Sequence, residues 1–169
     1  MDKSTTLEAN FLKADDLIRE NKISDAIEVL ESIIFEEPNF GKAHNHLGWI
    51  YETKIQDARK AELHYKQAIK SDPLYTASYI NYSYLLSNQN RFDELKNHLE
   101  KAILVPGINK ATVYNEFGIM YELQGNYKEA VTSFKKAIQH CLDTKIIETY
   151  KGNITRCKQK AGVIKSLFW

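Results

Sequence analysis

Apolar residues recur along this chain at three- and four-residue steps, the spacing that lines one face of an α-helix. Leu47, Ile50 and Tyr51 form one such stripe. Ala61, Tyr65 and Ala68 form another, and Ala130, Phe134 and Ala137 repeat it further on. With only seven glycines and three prolines, and many Glu, Lys, Leu, Ala and Ile, the sequence predicts an all-α fold. Asn21, Asn90 and Gly125 fall at one equivalent break between helices. Asn and Gly tolerate the left-handed backbone that ends a helix. Pro38 and Pro73 close two of the helices, because proline cannot continue the helix before it.

The stripes belong to a repeat. Leu47-Gly48-x-x-Tyr51 aligns with Phe117-Gly118-x-x-Tyr121. The downstream frames Ala61-x-x-x-Tyr65-x-x-Ala68 and Ala130-x-x-x-Phe134-x-x-Ala137 then fall into register. The same frame placed upstream gives Ala26-x-x-x-Leu30-x-x-Ile33, and between the two it gives Leu95-x-x-x-Leu99-x-x-Ala102. The units are residues 7–40, 41–75, 76–110 and 111–144, each reading as two amphipathic helices. Position eight of each is small: Ala14, Gly48, Ser83 and Gly118. A close approach of the paired helix follows, with Ala26, Ala61 and Ala130 as the expected matching surface. Unit two carries one extra residue between Thr53 and Lys60, and unit three one around Pro106-Gly107.

This pattern resembles the tetratricopeptide repeat (TPR), a helix–turn–helix unit of about 34 residues. The tryptophan of that family's signature is replaced by Asn10, His44, Tyr79 and Tyr114, and Leu95 replaces a small residue in unit three. The resemblance implies a single domain over residues 1–169: a right-handed α-α superhelix, the TPR solenoid, of four repeats. A C-terminal capping helix is expected over 145–165, on the stripe Ile146, Ile147, Tyr150, Ile154 and Cys157.

Charge refines this picture. The 169 residues carry 23 basic and 22 acidic side chains. Residues 1–40 hold 10 acidic and 4 basic residues, and residues 144–169 hold 6 basic and 1 acidic. Near-neutrality is a cancellation along the chain, and it suggests head-to-tail self-association, the basic cap of one copy meeting the acidic first unit of another. The balance gives no global push toward nucleic acid, and no run of 18 apolar residues predicts a membrane span. The first residues lack the order of a signal peptide, and a cytoplasmic chain with reduced thiols at Cys141 and Cys157 is expected.

Catalytic motifs are missing: no G-x-S-x-G elbow, P-loop, G-x-G-x-x-G or H-E-x-x-H occurs. His44 and His46 diverge on a helix and cannot share a metal. His64, His98 and His140 read as surface or packing residues, and Asp15-Asp16 as a solvated face. No enzyme activity, cofactor or metal is expected.

The resemblance implies instead a protein-interaction module or adaptor, whose stacked first helices line a groove for a peptide or partner helix. The groove candidates are Phe11 in unit one; Asn45, His46, Trp49 and Glu52 in unit two; Ile80, Asn81 and Tyr84 in unit three; and Asn115, Glu116 and Ile119 in unit four. Trp49 and Tyr84 are the anchors, since aromatic side chains dominate binding hot spots. Asn45, Asn81 and Asn115 offer a donor and an acceptor each to a ligand's backbone.

The two-carboxylate clamp of chaperone-binding members is not reproduced. Its positions hold Asn45, Trp49, Asn81, Thr112 and Glu116 from unit two, where only Asn81 fits. From unit one they hold Phe11, Asp15, His46, Ala77 and Asn81, with no fit. Leu167, Phe168 and Trp169 exceed what a cap needs and are candidates for docking into a groove as an internal ligand or in self-association. Ala61-Glu62-x-x-Tyr65 and Asn81-Tyr82-x-x-Leu85 are faintly similar to pilus-assembly lipoproteins, although a signal peptide and lipid-attachment cysteine are not found.

Overall fold

The computed structural model describes the backbone of residues 3–167 and the side chains of residues 3–163. Among the described residues the regular elements are all helical. They are α1 (Lys3–Arg19), α2 (Ile23–Glu36), α3 (Gly41–Ile50), α4 (Ala58–Ser71), α5 (Thr76–Asn88), α6 (Phe92–Ala102), α7 (Lys110–Leu123), α8 (Tyr127–Gln139) and α9 (Thr144–Leu167). A π-helical turn, Tyr51–Ile55, extends α3. The helices fall into two compact bodies, Met1–Leu85 and Leu86–Trp169. The first holds α1–α4 and most of α5, and the second holds the end of α5 with α6–α9.

The turns within the repeats follow one design. Asn21, Asn90 and Gly125 all have positive φ, at 58°, 56° and 77°. The next residue then donates its N–H back five positions, from Lys22 to Leu17, Arg91 to Leu86 and Asn126 to Tyr121, at 2.8–3.0 Å. These bonds satisfy carbonyls that a helix end leaves open. The second repeat departs because of its extra residue. There Gln56 takes the left-handed conformation at φ 63°, and the N–H of Asp57 reaches back six positions to Tyr51. The wide turn absorbs the insertion, and Asp57 then caps α4 through the N–H of Lys60 at 3.0 Å.

The small residue at position eight does admit the paired helix, but what it admits is a ring, not an alanine. A Cβ added at Gly48 would lie 2.6 Å from Cδ1 of Tyr65, and one added at Gly118 would lie 2.5 Å from Cε1 of Phe134. Both rings are fully buried. Burying such a side chain stabilises the fold by roughly 2–3 kcal/mol, so the contact is the centre of each hairpin rather than a detail of it. Ala61 and Ala130 sit one turn earlier on the same buried stripes.

The last helix is longer than the expected cap, and its buried face is narrower. Tyr150 packs with Ala111 and Ala137, and Cys157 with Ala130 and Phe134, with Ile154 beside them. Ile146 is 44% exposed and is not part of that face. The Cys157 thiol is pushed up to about 11, first by burial and then by the neighbouring Glu122 carboxylate, so it packs as an unreactive apolar group. Cys141 is half-buried against the Tyr150 cluster.

Candidate interaction surface

Within the first body, neighbouring first helices are tied by polar pairs close to one repeat length apart. The Nζ of Lys42 lies 3.0 Å from Glu8, joining α3 to α1. His46 Nε2 lies 2.8 Å from Asp15 Oδ1, while its Nδ1–H donates to the Lys42 carbonyl at 3.0 Å. Both ring nitrogens therefore face oxygen atoms of the protein. The other Asp15 oxygen accepts from Arg19 at 3.3 Å. Asn81 Nδ2 donates to Asn45 Oδ1 at 3.1 Å, joining α5 to α3.

The Asp15–His46 and Asn45–Asn81 pairs line a hollow of about 370 Å³. Trp49, Ile18, Tyr75 and Ala77 complete its lining with apolar surface. Trp49 is half-buried, and Lys54 Nζ lies 5.4 Å from its ring centre. The Asp15 carboxylate is already bonded to His46 and Arg19, and half of each paired amide is used in the Asn45–Asn81 bond. Asn45 Nδ2 and Asn81 Oδ1 are left over from that bond, Asn45 buried and Asn81 half-buried, in the same hollow as Trp49. That combination suits a peptide group followed by an uncharged side chain.

Of the expected groove residues, Asn45, His46, Trp49 and Asn81 meet in this hollow. Phe11 does not line it. Its buried ring packs 5.7 Å from Phe40 and 4.6 Å from His46, centre to centre, so it belongs to the contact between α1 and α3. Glu52 also turns away, because the π-helical turn delivers its carboxylate to the Tyr65 hydroxyl at 2.7 Å. Burial, together with that bond, holds the Tyr65 phenol well above its ordinary value. Ile80 is half-buried and Tyr84 is 40% exposed, and neither is part of the hollow. Leu167 lies at the end of α9, while Phe168 and Trp169 lie outside the described residues.

In the second body Ile119 packs in the cluster of Phe134 and Cys157. Asn115 is half-buried and donates to Glu116 at 3.2 Å. Glu116 is buried, and that burial pushes its carboxyl up to about 7 against the opposing effect of the Asn115 bond. Glu122 is buried too and takes three short bonds from α9: Arg156 at 2.7 and 2.6 Å and Lys160 at 2.7 Å. Part of the basic cap is thus neutralised within the chain.

Two arrangements were not foreseen. Asp15 was expected on a solvated face and instead joins α1 to α3. His64 meets His44, with Nδ1 to Nδ1 at 3.1 Å. The Nε2–H of His44 donates to the Pro38 carbonyl at 3.0 Å, so its Nδ1 accepts from His64 and the pair is neutral. Burial lowers both rings, His64 to about 4 with added repulsion from His44 and Lys60. Among the described residues no three His, Cys, Asp or Glu side chains converge to hold a metal. No helix among them is long and apolar enough to cross a membrane.

Comparison with known proteins places this geometry. Residues 41–73 and 76–106 match one tetratricopeptide repeat model and residues 111–139 another, together just over half of the chain. No curated protein matches it. Among solved structures, PilF of Pseudomonas aeruginosa is similar at 17% identity and a TM-score of 0.81, over 94% of this chain and 70% of that one. PilW, described as a widely conserved type IV pilus biogenesis factor, is similar at 19% identity and a TM-score of 0.71, over 95% and 77%. A thermophilic TPR protein of Thermus thermophilus follows the same fold at 15% identity and a TM-score of 0.66, over 88% and 81%. At these identities the likeness carries the all-α solenoid fold, and the repeat matches carry the family. The chain belongs to the tetratricopeptide repeat family.

Proposed function

We propose that this chain is a protein-interaction module that holds an extended peptide or a partner helix in the hollow between α1, α3 and α5. The observation that carries the reading is the juxtaposition of the Trp49 face with the Asn45–Asn81 amide pair. Each amide bond to a ligand nets only about 0.5–1.5 kcal/mol, so the amides orient the ligand. A buried tryptophan contact contributes about 2 kcal/mol or more and supplies the affinity. The chain acts by binding rather than by catalysis, and as an adaptor in the cytoplasm. The pilus-biogenesis role named for PilW is that protein's own.

The test begins with peptides selected from a random display library on the intact chain. Trp49→Ala should weaken the selected peptides by at least about tenfold. Lys70→Ala, on the exposed side of α4, should leave them unchanged, with both variants equally helical. Equal losses in the two variants would place the binding elsewhere.

A further inference from the structure

The second body carries a surface that the peptide-binding reading does not use. Between α7 and α8 runs a trough of about 460 Å³. Its wall on α7 is the aromatic row Tyr114, Phe117 and Tyr121, each ring half-exposed, with Phe117 and Tyr121 stacked at 6.4 Å. Its rim on α8 bears the exposed Lys128 and Lys136, about 12 Å apart along the helix, with Glu129 as the acid among its lining residues. Lys136 Nζ already lies 5.4 Å from the Tyr114 ring centre. An occupant suited to these walls is an acidic helix with a protruding aromatic side chain.

The first body displays such a helix. Between Ile23 and Glu36, α2 contains Asp25, Glu28, Glu31 and Glu36 and no Lys or Arg. Glu28, Glu31 and Phe35 are spaced three and four apart, which puts them on one stripe about 10 Å long. Phe35 is 88% exposed. Among the described residues Glu28 and Glu31 have no ion-pair partner, whereas Arg156 and Lys160 of the basic cap are already held by Glu122.

We propose that the Glu28–Glu31–Phe35 stripe of one copy docks into the Tyr114–Phe117–Tyr121 trough of a second copy, Phe35 against the rings and the carboxylates against Lys128 and Lys136. The two surfaces are different patches of the chain, so the contact is heterologous and adds copies head to tail. It is small, and the association is transient and weakened by salt.

Two half-blocked chains test this. Phe35→Ser removes the plug and leaves the trough. Lys128→Glu with Lys136→Glu reverses the trough and leaves the plug. By sedimentation at low salt, the wild-type mass should rise with concentration and fall back on adding salt. Each variant alone should be monomeric, with association weakened at least about tenfold. The two mixed should form a one-to-one complex and nothing larger. A wild type that stays monomeric, a mixture that stays monomeric, or association that survives either variant overturns the proposal. So does association lost in Trp49→Ala and retained in Phe35→Ser, which would seat the second copy in the hollow instead. Peptide capture at Trp49 is read separately, so either assignment can fail without the other.

Discussion

In the second repeat the Tyr65 ring lies on Gly48, and in the fourth the Phe134 ring lies on Gly118, yet the carboxylate at position twelve serves a different element in each. Glu52 is turned inward by the π-helical turn and spent on the Tyr65 hydroxyl. Glu122 ends an unbroken α7 and holds Arg156 and Lys160 of the next helix. The same position therefore locks a hairpin internally in one repeat and fastens the following helix in the other. One inserted residue and one phenolic hydroxyl accompany the difference. Packing at the glycine is common to both, while the polar wiring around it is free to change.

The largest expected effect breaks what the two repeats share. Gly118→Leu or Gly48→Leu would force the ring from its seat and cost about 3 kcal/mol or more. Alanine at either site should also destabilise, although alanine ordinarily gains about 0.5–1 kcal/mol over glycine within a helix. Gly152, with nothing within 4 Å of an added Cβ, supplies the contrast, and Gly152→Ala should stabilise. Chemical denaturation of the three alanine variants checks the ranking. Stabilisation at Gly118 would mean that the ring is not seated as described.

Next comes the carboxylate that distinguishes the fourth repeat. Glu122→Gln should cost about 1–3 kcal/mol, below the full range for a broken buried pair because Arg156 and Lys160 are themselves half in solvent. Hydrogen bonds from Arg156, then from Lys160, hold this carboxyl down at about 2 against burial. Its contribution is fully present above about 4.5 and is lost as pH falls from there toward 2. The stability difference between wild type and variant should close across that window; a constant difference would show that the carboxylate is not the group responsible.

The smallest effect lies in the second repeat and shows only in acid. A histidine whose folded value is lowered to about 4 favours the fold fully above its ordinary 6.5, and that contribution declines as pH falls from 6.5 toward 4. Thermal melts at pH 7 and pH 4.5 should therefore differ less for His64→Gln than for the wild type. An unchanged difference would assign the acid sensitivity to other groups.

Much of the fold was legible because it rests on backbone sterics and residue size. The left-handed turns at Asn21, Asn90 and Gly125 follow from which residues tolerate that conformation, and the small eighth position follows from the repeat. The occupant of that position was misread: the alanines lie on the right helix, but the ring one turn later reaches the glycine. The polar pairs were less legible, because each depends on side-chain rotamers on two helices. A signal for them did exist. Glu8 and Lys42, Asp15 and His46, Asn45 and Asn81, and Glu122 and Arg156 are all complementary residues separated by about one repeat. That separation already sets Asp15 against His46 rather than on a solvated face. The displacement of Glu52 needed the π-helical turn, which residue type alone does not announce.

The paired amides of Asn45 and Asn81 carry one more consequence. If both rotate by half a turn about their last torsion, the bond between them is remade with giver and taker exchanged, and the outward-facing atoms exchange as well. A peptide laid across them presents its own N–H and C=O in the opposite order when its direction is reversed. The pair can follow that reversal without moving a helix. On the proposed reading, such a hollow would accept a peptide in either direction, with side-chain choice left to its apolar lining of Trp49, Ile18, Tyr75 and Ala77.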